Sequence, residues 1–520
     1  MDLTDHRQEL DKIDRELTGL FLRRMEICGE IGDWKRAEGR PILDAKREQE
    51  VLTALSALCP PYRQGELRAL YGEIFALSRE SQRRRTTSLR CGLLGEKLGH
   101  SYSPQIHRFF GDYDYGLYPM TAEQLEKTLT KRDFRGLNIT IPYKRDVLPF
   151  CDEISDAVRA VGSANTLYFR NGKLCAENTD LPGMLFMLDR AGIFLTGKKI
   201  AILGSGGTSL TAQAACRVRK ARDYVTVSRS GPVTYADLYR EHQDAEIIIN
   251  ATPVGMYPDN LVSPVDISRF SRLCGVADVI YNPAKTALLL DAEEAGIPCI
   301  DGLWMLAAQA WHAAKLFLNA DISEDKIALA YRAVRKECLN LVLIGMPGSG
   351  KTALGKLAAE KLGRRFIDLD QEIEKRYGSI PDIFKNRGEK AFRDMESEIA
   401  RDAGKESGCV IAAGGGAILR KENVRALRQN GIVAWVQRPT ERLSTEGRPL
   451  STGREALKRM EKERFPLYRA CADFAVDNQG APEETVQTIL EGFDETAGSE
   501  RAEPEYAGNP GKTPVRRKDL

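Results

Sequence analysis

The stretch Leu341–Gly355 reads "LVLIGMPGSGKTALG" and organises the last third of the chain. Within it, Gly345–Thr352 satisfies G-x-x-x-x-G-K-[ST], directly after an apolar strand and before the helical run "ALGKLAAEKLG". That is the context this phosphate loop requires. Its backbone N–H groups cradle phosphates, so Gly348, Ser349, Gly350 and Ala353 are read as ATP contacts. Lys351 would neutralise the transferring group and the Thr352 hydroxyl would ligate Mg²⁺. The motif names a phosphoryl donor and leaves the acceptor open.

A second glycine turn lies upstream. "KKIAILGSGGTSLTAQAA" (198–215) reads as strand, turn and helix, so Gly204, Ser205, Gly206, Gly207 and Thr208 can offer N–H groups to a pyrophosphate. The next strand, "YVTVSRS", ends in Arg229, where an NAD enzyme would place an acid on the ribose 2′-hydroxyl. A cation between Ser228 and Ser230 suits a 2′-phosphate instead, which points to NADP. Two glycine loops among alternating strands and helices imply two α/β modules, with ligands at the carboxyl ends of parallel strands. The boundary between them falls near "AVRKECLN" (333–340), where a helical stretch ends and a new strand begins.

Residues 1 to about 85 lack strand-like alternation and hold three helical stretches. Leu10, Ile13, Leu17, Leu20, Ile27, Ile31 and Trp34 recur at spacings of three and four. Arg24 falls inside that stripe, and Lys35 follows it on the same face at +11. In the third stretch Leu67, Tyr71 and Ile74 are continued at helical spacing by Ser78 and Gln82. Asp44 stands where an N-cap belongs, with Arg47 and Glu48 in the turns after it. Spacing alone leaves two readings open: a solvated bundle whose cations snorkel, or a pocket for a small dianion.

At 520 residues, with 42% hydrophobic and 29% charged residues, the chain is ordinary globular material and long enough for three or more domains. A net charge of +2 with interspersed signs leaves no basic face for nucleic acid. The start "MDLTDHRQEL" has neither signal nor anchor character, and no apolar run is long enough to span a membrane. Eleven scattered Cys without a C-x-x-C pair point to free thiols and a reducing cytoplasm. His100 and His107 are read as structural, since no third ligand stands near them. The end "TAGSERAEPEYAGNPGKTPVRRKDL" is expected to be a disordered tail.

Three resemblances follow from these segments. "HRQELDKIDRELTGLFLRRMEICGEIGDWKR", "RPILDAKREQEVL" and "LSRESQ" resemble the all-helical chorismate mutase family over residues 1–85. The resemblance implies that Arg7, Arg24, Lys35, Arg47, Glu48, Ser78 and Gln82 bind chorismate, with Asp44 beside them. Arginines would hold the carboxylates, while Lys35 and Gln82 would donate to the breaking ether oxygen as prephenate forms. It also implies a homodimer, with Arg7 completing the neighbour's pocket.

"GHSYSPQIHR", "GLNITIPYKRDV", "SANTL", "ENTDLPG", "INATPVGM", "DVIYNPAKTALL" and "DGLWMLAAQAWHAAKLF" are similar to the shikimate dehydrogenase family over residues 90 to about 320. The resemblance implies NADPH reduction of 3-dehydroshikimate to shikimate. Ser101, Ser103, Thr140, Asn165, Asp180, Tyr281 and Gln309 would bind the polyol and carboxylate, and Gly302 would join the cofactor contacts. Lys144, paired with Asp180, would be the general acid. The family commonly carries Asn-Arg-Thr where this chain has Ser228-Arg229-Ser230; the cation is kept. An NAD-linked quinate oxidoreductase is the rival reading of this module.

"FIDLDQEIE", "AFRDMESE", "AAGGGAIL", "EGRPLS" and "KERFPLYR" resemble shikimate kinase across residues 340 to about 490. Asp370 would be the base, Asp368 would act near Mg²⁺, and Arg393 and Arg464 would clamp the carboxylate. Gly414, Gly415 and Gly416 would let backbone approach the ring, and Arg448 would sit on a lid over ATP. In isolation Arg393 could merely pair with Glu396 at i,i+3 on an exposed helix.

The expectation is a multidomain cytoplasmic enzyme of aromatic amino-acid biosynthesis, all-α first and then two α/β modules. Its domains are an all-α mutase over 1–88, a two-lobed dehydrogenase over 89–336, a P-loop kinase over 337–492 and a tail over 493–520. The dehydrogenase has a substrate lobe over about 89–183 plus a C-terminal helix, and a Rossmann lobe over about 184–303. The kinase is of three-layer α/β/α, NMP-kinase-like type. In the rival reading of residues 1–88 the helices are an inactive dimerising or ligand-sensing module.

Overall fold

A computed structural model describes residues 3–38, 40–86, 89–98, 101–443 and 454–498. The chain divides into two compact units, Met1–Pro182 with Ala308–Lys326, and Gly183–Ala307 with Ile327–Leu520.

The first unit opens with three helices, α1 (Leu3–Ala37), α2 (Ala45–Ala57) and α3 (Gln64–Thr86). Asp44 caps α2, its side chain accepting from the Arg47 N–H at 3.0 Å, and the Pro60-Pro61 pair bars its continuation. α1 packs on α3 through buried Cys28, Phe75 and Ala76. Gly32 permits the approach: a Cβ there would lie 2.9 Å from the Gln82 Cα. The apolar stripe that would fill the core of a monomeric bundle lies in solvent instead, with Leu10, Leu17 and Leu20 57–67% exposed.

The same unit holds a six-stranded sheet made of β1 (Leu89–Gly95), β2 (Tyr115–Pro119), β3 (Phe134–Ile139), β4 (Glu153–Ile154), β5 (Thr166–Arg170) and β6 (Lys173–Glu177). Its order is β2-β1-β3-β5-β6-β4. The sheet is mixed, because β5 runs antiparallel to both β3 and β6. Asn171 and Gly172, both at positive φ, make the tight turn that such a hairpin requires. Leu94, Leu137, Ile139, Leu167 and Leu174 form the buried core on this sheet.

Two five-stranded parallel sheets make up the second unit. The first contains β7 (Lys199–Leu203), β8 (Asp223–Val227), β9 (Ile247–Asn250), β10 (Gly275–Asp278) and β11 (Cys299–Ile300), in the order β11-β10-β9-β7-β8. The second contains β12 (Asn340–Ile344), β13 (Phe366–Asp368), β14 (Val410–Ala412), β15 (Gly431–Gln437) and β16 (Phe474–Asp477), in the order β13-β14-β12-β15-β16. β9 and β12 are buried along their whole length, as continuous apolar runs in doubly covered parallel sheets must be. In each sheet the first strand, β7 or β12, has a neighbour on both sides. Its carboxyl end is therefore the point where the strand order reverses and a ligand crevice opens.

The last helix, Pro482–Gly498, continues beyond residue 492 and buries Phe493 and Ala497 in the core around β12. That stretch, expected as the start of a tail, is part of the kinase fold; residues 499–520 lie outside the described ones. Among the described residues no helix is long and apolar enough to cross a membrane.

Candidate active sites

On the helices, Arg24 of α1 donates to the Ser78 hydroxyl of α3 in a half-buried contact, and Ser78 donates onward to Ile74 O at 2.6 Å. Gln82 is buried one turn beyond Ser78. Lys35 donates to Ile42 O at 2.6 Å. Both Glu48 carboxylate oxygens accept from Arg79 Nη1, at 2.6 and 2.7 Å. Arg79 went unread in the sequence because its partner is 31 residues away on another helix. Arg47 is exposed and pairs with Glu50 at 3.4 Å. Arg7 is also exposed and precedes Arg24 by 17 residues on one continuous helix, a separation of about 25 Å. It does not join this cluster within one chain.

In the sheet domain of the same unit, Lys144 follows β3 and Asp180 opens the helix Asp180–Arg190, where the dipole favours a carboxylate. Lys144 Nζ lies 2.5 Å from Asp180 Oδ2, with side chains 20% and 8% exposed. Asn165 donates to Asp180 Oδ1 at 2.8 Å and to the Thr179 hydroxyl at 3.0 Å. Thr179 in turn donates its N–H to Asn165 Oδ1 at 2.7 Å. Gln309 Oε1 accepts from Asn165 at 3.5 Å. A carboxylate so held pins the Lys144 ammonium in one place with little water around it.

Ser101 and Ser103 hydrogen-bond each other at 3.0 Å, and Thr140 packs against Gly95 at the end of β1. Asn178 is fully buried and braces the loop, donating to Ser163 O and accepting from the Leu181 N–H. Thr179 was not singled out in the sequence, since its partner Asn165 lies 14 residues away. His107 stacks on Tyr115 at 3.7 Å, and burial pushes its pKa down to about 3, so it is a neutral core residue. His100 lies outside the described residues.

In the second unit, Gly204 sits at φ +110 after β7, and the helix Gly207–Val218 begins beside open space: a Cβ on Gly206 or Gly207 would meet nothing within 4 Å. N–H groups in that first turn have no intrahelical acceptor, so Ser205–Thr208 form a cradle that pyrophosphate oxygens fit. Ser228 is buried at the end of β8, with Arg229 and Ser230 exposed in the turn beyond. Gly302 lies hard against the end of β10, where a Cβ would fall 2.0 Å from Val279 O.

Between these points runs a network that the sequence did not disclose. Asp278 accepts from Asn250 Nδ2 at 3.0 Å, from the Ile280 N–H at 3.0 Å and from the Thr286 hydroxyl at 2.7 Å. Burial pushes the Asp278 pKa up to about 7 against the pull of these donors. Tyr281, which is half-buried, follows directly.

Around the second glycine loop is a cleft of about 380 Å³ lined by Gly348, Gly350–Ala353, Asp368, Asp370, Arg393, Glu396, Gly415, Gly416 and Arg464. Its size falls within the range of small-ligand pockets. Lys351 Nζ donates to Gly345 O and Met346 O at 3.0 Å each. Thr352 donates to Asp368 Oδ2 at 2.7 Å, and Asp368 Oδ1 accepts from the Asp370 and Gln371 N–H groups. Gly350 is the left-handed hinge of the loop, at φ +95. Ser349 O accepts from Asn478 at 2.7 Å.

Arg393 and Glu396 do pair at 2.7 Å, but with side chains only 10% and 1% exposed, so the pair lines the cleft and is no surface decoration. Burial pushes Glu396 up, opposed by the Arg393 charge. Gly414 and Gly416 are wedged between acid and cation: added Cβ atoms would lie 2.7 Å from Asp370 Oδ1 and 2.2 Å from Arg393 Nη1. Gly415 O accepts from Arg464 at 3.0 Å and from Tyr468 at 2.6 Å. Arg448 and the rest of "EGRPLS" lie outside the described residues.

Fold and sites together define a multidomain enzyme in which a helical domain precedes a dinucleotide-binding α/β module and a P-loop phosphotransferase. Residues 6–83 match the family chorismate mutase type II, residues 93–167 the shikimate dehydrogenase substrate binding domain, and residues 347–493 shikimate kinase. A shikimate dehydrogenase (NADP(+)) of Caldicellulosiruptor bescii is 36% identical over 258 residues, covering 44% of this chain and 88% of that protein. One of Clostridium perfringens is 34% identical over 255 residues, covering 45% and 94%. A crystal structure of a chorismate mutase/shikimate 5-dehydrogenase fusion protein from Clostridium acetobutylicum is 32% identical, covers 48% of this chain and 97% of its own, and has a TM-score of 0.45. The chain belongs to the shikimate dehydrogenase family. It carries a chorismate mutase domain before that module and a shikimate kinase domain after it, and is a multifunctional enzyme of the shikimate pathway.

Proposed function

We propose that the chain performs three reactions: chorismate to prephenate, NADPH-dependent reduction of 3-dehydroshikimate to shikimate, and ATP-dependent phosphorylation of shikimate to shikimate 3-phosphate. The observation that carries the reduction step is the Lys144–Asp180 pair, held at 2.5 Å by Asn165 and largely out of water. A fixed ammonium of this kind protonates the alkoxide oxygen as a carbonyl is reduced. Bound NADPH supplies the hydride.

Ser101, Ser103, Thr140, Asn165, Gln309 and Tyr281 are the polar groups offered to substrate hydroxyls and carboxylate. Gly204–Thr208 would hold the pyrophosphate, Gly302 would join the cofactor contacts through its backbone, and Arg229 with Ser228 and Ser230 would take the 2′-phosphate.

In the kinase, Asp370 would accept the hydroxyl proton of shikimate while Arg393 and Arg464 fork its carboxylate. Gly414–Gly416 keep the ring close, and Gly348–Ala353 with Arg448 bind ATP. Lys351 neutralises charge on the moving phosphoryl group. Thr352 and Asp368 supply only hard oxygen donors, a set that fits Mg²⁺.

In the mutase, Arg24 and Arg47 would hold carboxylates, and Lys35 and Gln82 would face the ether oxygen. Ser78, Glu48 and Asp44 complete the pocket. The exposed α1 stripe supports a homodimer in which Arg7 enters the neighbour's pocket. Eleven free thiols support a cytoplasmic location. We assign residues 1–88 to the mutase, 89–336 to the dehydrogenase and those from 337 on to the kinase, through Gly498.

The test feeds the purified chain 3-dehydroshikimate, NADPH and MgATP. Shikimate 3-phosphate is expected; absence of both shikimate and its phosphate would remove the dehydrogenase assignment, and shikimate accumulating without its phosphate would remove the kinase assignment. Leu20→Asp should convert dimer to monomer in sedimentation and abolish prephenate formation; a fully active monomer would refute the shared pocket.

A further inference from the structure

Within the second unit, the kinase meets the dinucleotide-binding lobe at the corner Gln429-Asn430, between the helix Lys421–Arg428 and β15. Both residues are buried, at 1% and 3% exposure. Buried amide groups seek partners, and the oxygens of these two residues accept across the domain boundary. Asn430 Oδ1 accepts from the Ala284 N–H at 2.8 Å, Gln429 O from the Lys285 N–H at 2.8 Å, and Gln429 Oε1 from Asn260 Nδ2 at 3.2 Å. The two contacted loops are themselves joined, since the Tyr257 N–H donates to Asn282 O at 3.1 Å.

The corner is anchored beside these bonds. Arg425 lies 2.6 Å from Asp291 and 2.8 Å from Glu294, and it also donates to Ala287 O at 3.2 Å. Lys421 lies 2.7 Å from Glu294. These ion pairs hold the helix Ala287–Glu294, which continues from the clamped turn. The turn 282–285 follows Tyr281 without an intervening residue. Its N–H groups at Ala284 and Lys285 have the kinase corner as their acceptor, so the corner fixes the direction in which the chain leaves Tyr281.

We propose that Gln429 and Asn430 of the kinase are positioning residues for the dehydrogenase, clamping loops 257–260 and 282–285 so that Tyr281 is held ready for substrate. This rests on the reading of Tyr281 as a substrate contact. The kinase domain is thereby a structural part of the dehydrogenase site, beyond being the consumer of its product.

The test uses the full chain with Asn430→Ala and Arg425→Ala, following both activities and amide hydrogen exchange over residues 282–286. Asn430→Ala removes one buried acceptor, and the dehydrogenase KM for 3-dehydroshikimate should rise about five- to tenfold. Its kcat and both kinase constants should stay within about twofold, while exchange at 282–286 accelerates. Arg425→Ala should move KM and exchange the same way by about two- to threefold, and it carries the test should Asn430→Ala fail to fold. Unchanged KM and exchange would overturn the clamp, as would equal losses in both activities, the mark of general destabilisation. If the unmutated chain reduces no 3-dehydroshikimate, the functional reading fails, and the exchange rates alone judge the clamp.

Discussion

The two glycine loops follow the same plan, each at the carboxyl end of a central parallel strand where the order reverses, yet they are finished differently. After β7 the loop is open: Gly206 and Gly207 face empty space. After β12 the loop is closed on itself, with Lys351 bonded to two of its carbonyls, Asn478 bracing Ser349, and Pro347 2.7 Å from where a Gly415 Cβ would be. A dinucleotide whose pyrophosphate stays intact needs only backbone N–H groups and a helix end. Phosphoryl transfer needs fixed positive charge where negative charge builds up. The contrast between backbone-only and cation-assisted binding makes four predictions, in falling order of size.

Lys351→Ala should lower kinase turnover by about 10³-fold or more and leave dehydrogenase rates unchanged. Parallel assays on one preparation check it, and a surviving kinase would erase the distinction between the loops. Lys144→Ala should lower dehydrogenase kcat by about 10²–10⁴-fold with little change in KM, because chemistry in that module depends on a residue that is not part of its glycine loop. A variant with unchanged kcat would remove Lys144 from proton transfer.

Arg229→Ala should weaken NADPH binding by about tenfold, the value of one charge-assisted contact, and leave NADH binding alone. Fluorescence titration with both cofactors decides it, and parallel losses would return the NAD-linked reading to contention.

The smallest effect concerns strand ends. Asp368 closes β13 and faces the loop hydroxyl of Thr352, whereas Asp278 closes β10 and spends its bonds on Asn250, Ile280 and Thr286. With a pKa near 7 when folded against about 3.9 unfolded, the folded state binds more protons between those values. Its contribution to stability is therefore present below about pH 4 and is lost as pH rises to about 7. Asp278→Asn should flatten that slope in thermal melts of the full chain; an unaltered slope would place the titration elsewhere.

Both loops and the helical start were legible because each is written in contiguous residues. A strand, a glycine turn and a helix N-terminus are local consequences of φ freedom and backbone hydrogen bonding. Lys144 and Asp180 were legible only through resemblance, since 36 residues separate them. Glu48–Arg79 and Asp278–Asn250–Thr286 were not legible at all. Their members are common residue types whose meaning comes from burial, and burial is a property of the assembled fold. Spacing alone left the Arg393–Glu396 pair open between a surface ion pair and the pocket the resemblance implies, and only the fold shows both side chains buried in the cleft.

From residue order alone came three domains, two nucleotide loops and the chemistry each loop can support, since these depend on groups within a few residues of one another. The tertiary structure alone decided which polar groups are out of water and whom they meet. It left the apolar stripe of α1 in solvent, buried the Arg393 pair, carried the kinase past residue 492, and set Asn430 against Ala284 across 146 residues. Partners that distant are chosen by packing and desolvation, which no local pattern encodes.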